Sequence, residues 1–157
     1  NQDMNSPFEV KYIDGFSMII DKKKFKDNIF FDENYFLYLE NNDLCLKTRK
    51  NGGKIIIIPS SKINHIGANT VDSRYKVEIE LSRNWHWMWS KFYFNKKNFS
   101  FWFAMKECFP SFLKSLIKFL FYFCFNNNKK KKYFNRASGF YNAFIGKSSW
   151  YRPKIND

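Results

Sequence analysis

Acidic residues almost disappear from the second half of this 157-residue chain. Residues 1–80 contain twelve acidic and twelve basic residues, whereas residues 81–157 contain fifteen bases and only two acids, Glu107 and Asp157. The formal net charge of +13 therefore belongs to the second half, which also holds all five Trp and fourteen of the twenty Phe. Basic and aromatic residues gathered in one region suit a membrane surface or a nucleic acid as partner.

Cysteine and long apolar runs are also scarce. Cys45, Cys108 and Cys124 are widely spaced, odd in number and form no Cys-x-x-Cys pair, which argues against a disulfide framework or a zinc knuckle. No stretch reaches the roughly 18 uncharged apolar residues of a membrane-spanning helix, because lysines interrupt the longest candidate. The cysteine pattern therefore predicts a reducing compartment. The chain begins at Asn1 without an initiator Met and without the layout of a signal peptide, so its start looks cut.

The first half has the pattern of an α/β fold. Residues 12–20 and 54–58 are rich in apolar and β-branched side chains, which predicts two strands, the second of them buried. Residues 30–39 are aromatic and irregular and predict a packed loop or a short strand. Residues 40–50 have acids in the first turn and bases in the last, and Gly52 and Gly53 follow, which predicts a helix with a glycine C-cap.

The second half has the pattern of amphipathic helices. Apolar residues recur every three or four positions from residue 72 to 94, which predicts one helix that residues 95–98 should break. Residues 110–125 predict another, with lysines along a narrow polar stripe, and Lys129–Lys132 follow it directly. Such a helix can lie in the interface of an anionic bilayer or pack on the core with solvated lysines, and the sequence favours neither alternative.

One stretch is more specific than composition. Its distinguishing residues stand in a recognisable order, namely Phe31, Asp32, Glu33, Phe36, Tyr38, Glu40, Asp43, Leu44, Cys45, Gly53, Ile55, Pro59, Ile63, His65 and Gly67. This order resembles the C-terminal half of the catalytic domain of family 2 glycosyltransferases with the GT-A fold, the rhamnosyltransferase-like branch above all. Gly15–Ile20 (GFSMII), Ser82–Trp85 (SRNW) and the tail Gly146–Pro153 (GKSSWYRP) are similar to further pieces of that branch.

The resemblance implies a partial GT-A, Rossmann-like mixed sheet in residues 1–71, as the acceptor-side half of a catalytic domain. Residues 72–157 would form a mainly helical, basic and aromatic extension. The implied activity is inverting, metal-dependent transfer of a sugar, with rhamnose as one candidate, from a nucleotide-sugar donor to a lipid-linked or polysaccharide acceptor. The enzyme would be peripheral at the cytoplasmic face of a membrane. The family's donor-binding half, with its Asp-x-Asp motif, does not occur in residues 1–157, so we expect a fragment that shows no transfer by itself.

Inverting sugar transfer needs a carboxylate that deprotonates the acceptor hydroxyl and a cation that takes up charge on the departing diphosphate. We favour Glu40 as this base and Asp43 as a supporting acid, and the resemblance implies that His65 ligates Mg²⁺ or Mn²⁺. The expected substrate-binding residues are Asp14, Gly15, Asn41 and Lys47.

Two positions depart from the family. Asn41 stands where the family has the Asp taken as base, and an amide cannot usefully accept a proton at neutral pH. Three explanations remain: Glu40 is the base, the true register places Asp43 there, or the activity is lost. Lys47 replaces an Arg, which keeps the charge but not the bidentate fork.

Two other functions compete with sugar transfer. One is a non-catalytic remnant that docks on a membrane through residues 99–132. The other is a basic nucleic-acid binder, which is disfavoured because only five of the 27 basic residues are Arg and no known nucleic-acid motif occurs. We therefore expect no nucleic-acid partner.

Overall fold

The computed structural model describes residues 6–25, 30–65 and 72–154, which form two compact units. The first unit contains the described residues up to Glu33 and those from Glu40 to His65. The second contains Asn34–Leu39 together with the described residues from Asp72 onward. Each unit has its own elements, and helices predominate over strands in the chain as a whole.

The described residues of the first unit form a small sheet, an α-helix and a short 3₁₀ turn, Lys22–Lys24. Strand β1 (Phe8–Val10) pairs antiparallel with strand β2 (Ile55–Ile57), with Phe8 opposite Ile57. Helix α1 (Glu40–Lys50) directly precedes β2 in the chain and has the predicted acids in its first turn and bases in its last. These charges complement the helix dipole, so the local sequence is sufficient to place this helix.

Two glycines end α1 as predicted. Gly52 has a φ of +76°, a left-handed conformation that residues with a Cβ adopt only at a cost. Its N–H donates to the carbonyl of Arg49 at 3.1 Å, and the N–H of Gly53 donates to the carbonyl of Thr48 at 2.9 Å. This pair of bonds is a Schellman cap, which satisfies carbonyls that the helix end leaves open and turns the chain toward β2.

The prediction of strands in this unit is confirmed only in part. The strand predicted at residues 12–20 is wrong, because the chain turns at Gly15 and Phe16 and the strand that pairs with β2 lies earlier, at Phe8–Val10. The strand at residues 54–58 is confirmed in position but not in burial, since Ile56 is 52% exposed. A mixed α and β composition is thus observed, whereas the described residues show only a two-stranded antiparallel sheet and no Rossmann-like one.

The second unit is built from three long helices that all pack against one another, α2 (Lys76–Asn98), α3 (Phe101–Tyr122) and α4 (Asn127–Phe144). A short 3₁₀ turn, Ser73–Tyr75, precedes α2. Large apolar side chains of α2 meet small and aromatic ones of the other two helices. The buried residues that form this core include Trp85, Met88, Trp89, Phe92, Ala104, Cys108, Ala137 and Phe140.

The predicted helix boundaries in this unit need two corrections. Residues 95–98 do not break α2, because the side chain of Asn95 is buried and its amide donates to the carbonyl of Lys91 at 2.9 Å. The predicted helix start at residue 110 is also wrong, since α3 begins nine residues earlier and Pro110 lies inside it. The hydroxyl of Ser100 accepts the N–H of Phe103 at 3.1 Å and provides the N-cap that begins α3.

Two irregular segments, residues 34–39 and 147–152, are fixed on α2 by polar side chains of that helix. Ser90 Oγ donates to the carbonyl of Leu37 at 2.6 Å, and Trp89 Nε1 donates to the carbonyl of Lys147 at 2.9 Å. Ser149 Oγ, in the second segment, donates to the carbonyl of Asn34 at 2.6 Å, which joins the two segments to each other. The loop that leads into α1 is therefore held by specific bonds within the second unit.

Candidate functional site

Glu40, the expected base, is the first residue of α1, and its side chain is half-buried. Its carboxylate oxygen Oε2 is buried, and no hydrogen-bond donor among the described residues reaches it. Buried polar atoms in proteins nearly always have a partner, so an exception of this kind requires an explanation. An oxygen with an open lone pair is what a base needs in order to receive a proton.

The two residues directly before Glu40 have strained backbones. Tyr38 and Leu39 have φ values of 69° and 67°, in the left-handed region that residues other than Gly and Asn rarely adopt. Each such residue costs on the order of 1–3 kcal/mol and persists only where surrounding contacts fix it. Here the contacts are the bond from Ser90 to the carbonyl of Leu37 and the edge of Tyr38 against Trp87, with ring centroids 5.5 Å apart.

Asn41 fixes the segment that contains two of the predicted substrate-binding residues. Its Nδ2 donates to the carbonyl of Ile13 at 2.9 Å. A Cβ on Gly15 would lie 3.4 Å from the Cβ of Asn41, so the two residues are in close contact. Asp14, which lies between Ile13 and Gly15 in the chain, is exposed. The structure thus brings Asp14, Gly15 and Asn41 together beside the entrance of α1.

The same segment reaches His65. The ring of Phe16 stacks on the imidazole of His65, with centroids 4.9 Å apart and planes inclined by 14°. At most about 11 Å of extended backbone separates the carbonyl of Ile13 from Phe16. The start of α1 and the imidazole are therefore joined through residues 13–16, and both Phe16 and His65 are exposed. Gly67 of the proposed His-x-Gly element lies outside the described residues.

The remaining two predicted residues lie further along α1. By helical spacing, Glu40, Asp43 and Lys47 share one side of this helix. Asp43 is only 4% exposed, which suits a supporting carboxylate better than one that meets a substrate hydroxyl. Lys47 is half-buried, and its ammonium lies 6.0 Å from the ring centroid of Phe25.

The resemblance implies a divalent cation near His65, so the described residues can be searched for further ligands. Within residues 6–25, 30–65 and 72–154, no three His, Cys, Asp or Glu side chains come together as metal ligands would. Mg²⁺ and Mn²⁺ prefer several oxygen ligands, and the exposed imidazole of His65 supplies a single nitrogen. Among the described residues His65 is thus the one ligand that the resemblance implies, and its metal role stays a prediction.

Two features of the structure could not be predicted from the sequence. Phe16 belongs to a stretch that reads as a strand, so its stacking on His65 depends on the turn that forms there instead. The left-handed pair Tyr38 and Leu39 contains no glycine or asparagine, the residues whose presence normally indicates a positive φ.

Comparison with known proteins does not add to the assignment. No protein-family model matches the chain, and no curated protein or solved structure matches it either. The roles assigned to Glu40, Asp43, Asn41, Lys47 and His65 therefore remain predictions from the sequence and from the geometry of the first unit.

Proposed function

We propose that this chain carries the acceptor-activating part of an inverting glycosyltransferase that uses a nucleotide-sugar donor. Glu40 is the base that removes the proton of the acceptor hydroxyl. The acceptor oxygen attacks the anomeric carbon of the donor, and the bond from that carbon to the nucleoside diphosphate breaks, so that the diphosphate leaves. The observation that carries this proposal is the buried Oε2 of Glu40, which has no donor among the described residues. The order of residues 31–65 and the succession of α1, a glycine cap and β2 support a GT-A type of catalytic domain.

The alternative role for Glu40 is to stabilise the start of α1. An acid in the first turn of a helix contributes about 0.3–1 kcal/mol through the helix dipole. Leaving a buried polar atom without a partner costs about 1–3 kcal/mol, and more for a charged group. The cost exceeds the gain, so stability alone does not account for the placement of this carboxylate.

The other residues of the site have distinct parts in the proposal. Asn41 holds the backbone at Ile13, and this keeps the exposed Asp14 and Gly15 at fixed positions beside α1. Gly15 lacks a side chain, which leaves room for Asn41 against its backbone. A divalent cation would balance charge on the departing diphosphate, and His65 would contribute one of its ligands.

The acceptor and the location belong to the same proposal. We assign the acceptor to lipid-linked or polysaccharide glycans, with rhamnose as a candidate sugar, and the enzyme to the cytoplasmic face of a membrane as a peripheral protein. Support for these finer assignments comes from the resemblance and from the concentration of basic and aromatic residues after residue 80.

The test is the release of nucleoside diphosphate by the intact protein, which here means residues 1–157 together with the donor-binding half that they are expected to need, with a panel of nucleotide sugars and glycan acceptors. Glu40→Gln, which keeps the size of the side chain, should lower turnover by roughly 10²–10⁴-fold, the usual contribution of a positioned general base. Glu107→Gln removes an equal charge at an exposed position of α3 and should leave turnover unchanged. Full activity in Glu40→Gln, or loss of activity in Asp43→Asn alone, would show that Glu40 is not the base.

A further inference from the structure

Helix α3 presents a continuous apolar stripe to solvent. Its members recur at intervals of seven, four, four and three residues, which places them on one face of the helix. They are Trp102, Phe109, Leu113, Ile117 and Leu120, of which Trp102 is 78% and Leu120 69% exposed. The opposite face of α3 contains the buried Ala104, Cys108 and Ser115, so packing within the second unit does not cover this stripe.

The stripe continues into the turn between α3 and α4. Phe121, Phe123 and Phe125 follow it there, and Phe125 is 81% exposed. We call the stripe together with these three residues the apolar face. Contiguous exposed apolar surfaces of this kind in globular proteins usually mark a binding partner.

Lysines gather at the end of the apolar face. Lys129 lies with its ammonium 4.8 Å from the ring centroid of Tyr122, and Lys130 lies 5.0 Å from that of Phe123. Lys118 donates to the hydroxyl of Tyr133 at 3.2 Å, which brings a third ammonium to the same end. No Asp or Glu occurs between residues 108 and 154, so this region of the chain carries no acid of its own to balance these charges.

We infer that the apolar face and its lysines bind the interfacial region of an anionic lipid bilayer, with α3 lying along the surface. Apolar side chains would enter the boundary between head groups and acyl chains while the ammonium groups meet lipid phosphates. The inference does not depend on sugar transfer, because it concerns a different unit and a different readout. No helix in the described parts of the chain is long and apolar enough to cross a membrane.

The charge and shape of the apolar face favour lipid over other partners. A second copy of the chain would bring the same lysines to this surface and no acid from residues 108–154 to neutralise them. A single-stranded nucleic acid would pair with the lysines and stack on the aromatic rings. It would leave the aliphatic Leu113, Ile117 and Leu120 without a comparable contact. An anionic bilayer supplies both negatively charged head groups for the lysines and acyl chains for the apolar side chains.

Cys124 provides a natural position for a probe. It is exposed in the turn after α3, whereas Cys45 and Cys108 are buried. Burial also raises the pKa of the Cys108 thiol to about 11, so the reactive thiolate is scarce there at neutral pH. A polarity-sensitive fluorophore that reacts with thiolates should therefore label the 157-residue chain selectively at Cys124.

The experiment mixes the labelled protein with vesicles of phosphatidylcholine alone or with phosphatidylglycerol added. With the anionic vesicles we expect the emission to shift to shorter wavelength, to be quenched by nitroxide groups on the acyl chains, and to weaken with added salt. Replacement of Lys129, Lys130 and Lys131 by Gln should reduce the vesicle partition coefficient by roughly a hundredfold. Ile117→Ser with Leu120→Ser should reduce it by more than about tenfold.

Matched controls separate these effects from total charge and hydrophobicity. Lys11, Lys23 and Lys62 are exposed lysines of the first unit, and their replacement by Gln changes the charge equally but should preserve binding. Val77→Ser removes an exposed apolar side chain from α2 and should also preserve it. All substituted side chains other than Lys130 are exposed, and circular dichroism would verify that each variant is folded.

Three results would overturn the inference. The first is equal binding to neutral and anionic vesicles, or equal losses in the test and control variants. The second is a spectral shift that grows with protein concentration in the absence of vesicles, which would identify a second copy as the partner. The third is tight binding of single-stranded RNA that anionic vesicles do not displace.

Discussion

Asn41 occupies the position of the catalytic base in the family that the sequence resembles. Its hydrogen bond to Ile13 gives a physical reason why an amide stands there. The Nδ2 group donates to the carbonyl of Ile13 at 2.9 Å, and a carboxylate at this position has no proton to donate. An aspartate would instead place an oxygen against the carbonyl oxygen. The amide thus holds the segment beside Glu40, and the neighbouring carboxylate remains as the group able to accept a proton.

Asn41→Asp should therefore destabilise the protein without improving transfer. We expect the free energy of unfolding to fall by about 1–2 kcal/mol, the cost of a lost bond and an unsatisfied carbonyl. Asn42→Asp, one residue along the same turn, makes the same change of charge and serves as the control. Urea denaturation measures the difference. If Asn41→Asp unfolds at the same urea concentration as the control and turnover rises, position 41 is the site of the base.

His86 is the other residue with a distinctive environment, within the second unit. It is fully buried, and burial lowers its pKa from 6.5 to about 4 despite the 2.8 Å contact between Nε2 and the carbonyl of Tyr151. The contact requires a proton on Nε2, which makes Nδ1 the deprotonated nitrogen of a neutral ring. Nδ1 is buried, and no partner reaches it from the described residues.

This placement makes stability depend on pH. Between pH 6.5 and about 4 the unfolded chain binds a proton at His86 that the folded protein does not, so the free energy of unfolding falls as the pH falls. The total loss should be about 3 kcal/mol. His86→Gln keeps a donor for Tyr151 and should remove this part of the slope, whereas His65→Gln, at an exposed histidine, should leave it. Identical slopes in the wild type and His86→Gln would contradict the assignment.

At the scale of the elements, α2 and α4 are in close backbone contact at Gly139. A Cβ built on Gly139 would clash with the carbonyl oxygen of Trp85 and lie 3.0 Å from its carbonyl carbon. Two helix backbones can meet this closely only where a side chain is missing. The glycine thus permits the packing of two helices that supply much of the core.

Gly139→Ala should destabilise the protein although alanine is the better helix former. Alanine favours a helix by about 1 kcal/mol, but overpacking against a backbone costs about 1–3 kcal/mol or more, so the net effect is a loss. Lys131→Ala, at an exposed position of α4, is the control for helix propensity. Thermal unfolding should show a lower midpoint for Gly139→Ala than for the control. An unchanged or higher midpoint would mean that the helices are less closely packed than described.

The elements also show why some boundaries could be predicted and others could not. The end of α1 depends on Gly52 and Gly53, which are local, so the sequence was sufficient to place it. The start of α3 depends on Ser100, but the Pro110-Ser111 pair gave the stronger local signal. Strand β1 forms at Phe8–Val10 because Ile55–Ile57 pairs with it, and such a distant partner leaves no trace in local periodicity.

For the molecule as a whole, the predicted secondary structure agrees with the observed one better in the second half of the chain than in the first. The basic, aromatic second half forms three long helices, as its periodicity indicated in part, while the larger sheet predicted for the first half is not seen in the described residues. The residues of the candidate site were predicted from their order in the sequence, and their roles stay predictions. The hydrogen bond from Asn41 to the carbonyl of Ile13 and the stacking of Phe16 on His65 depend on the turn at residues 15–16, which the sequence did not indicate.

The anomeric configuration of the transferred sugar tests whether Glu40 is the base of an inverting transfer, and NMR on the product made by the intact protein determines it. A single carboxylate that activates the acceptor leads to direct displacement at the anomeric carbon. We therefore expect a product with the configuration opposite to that of the donor, formed at a rate that depends on Glu40. A product with the donor's configuration, or no transfer to any glycan acceptor, would contradict the proposed function.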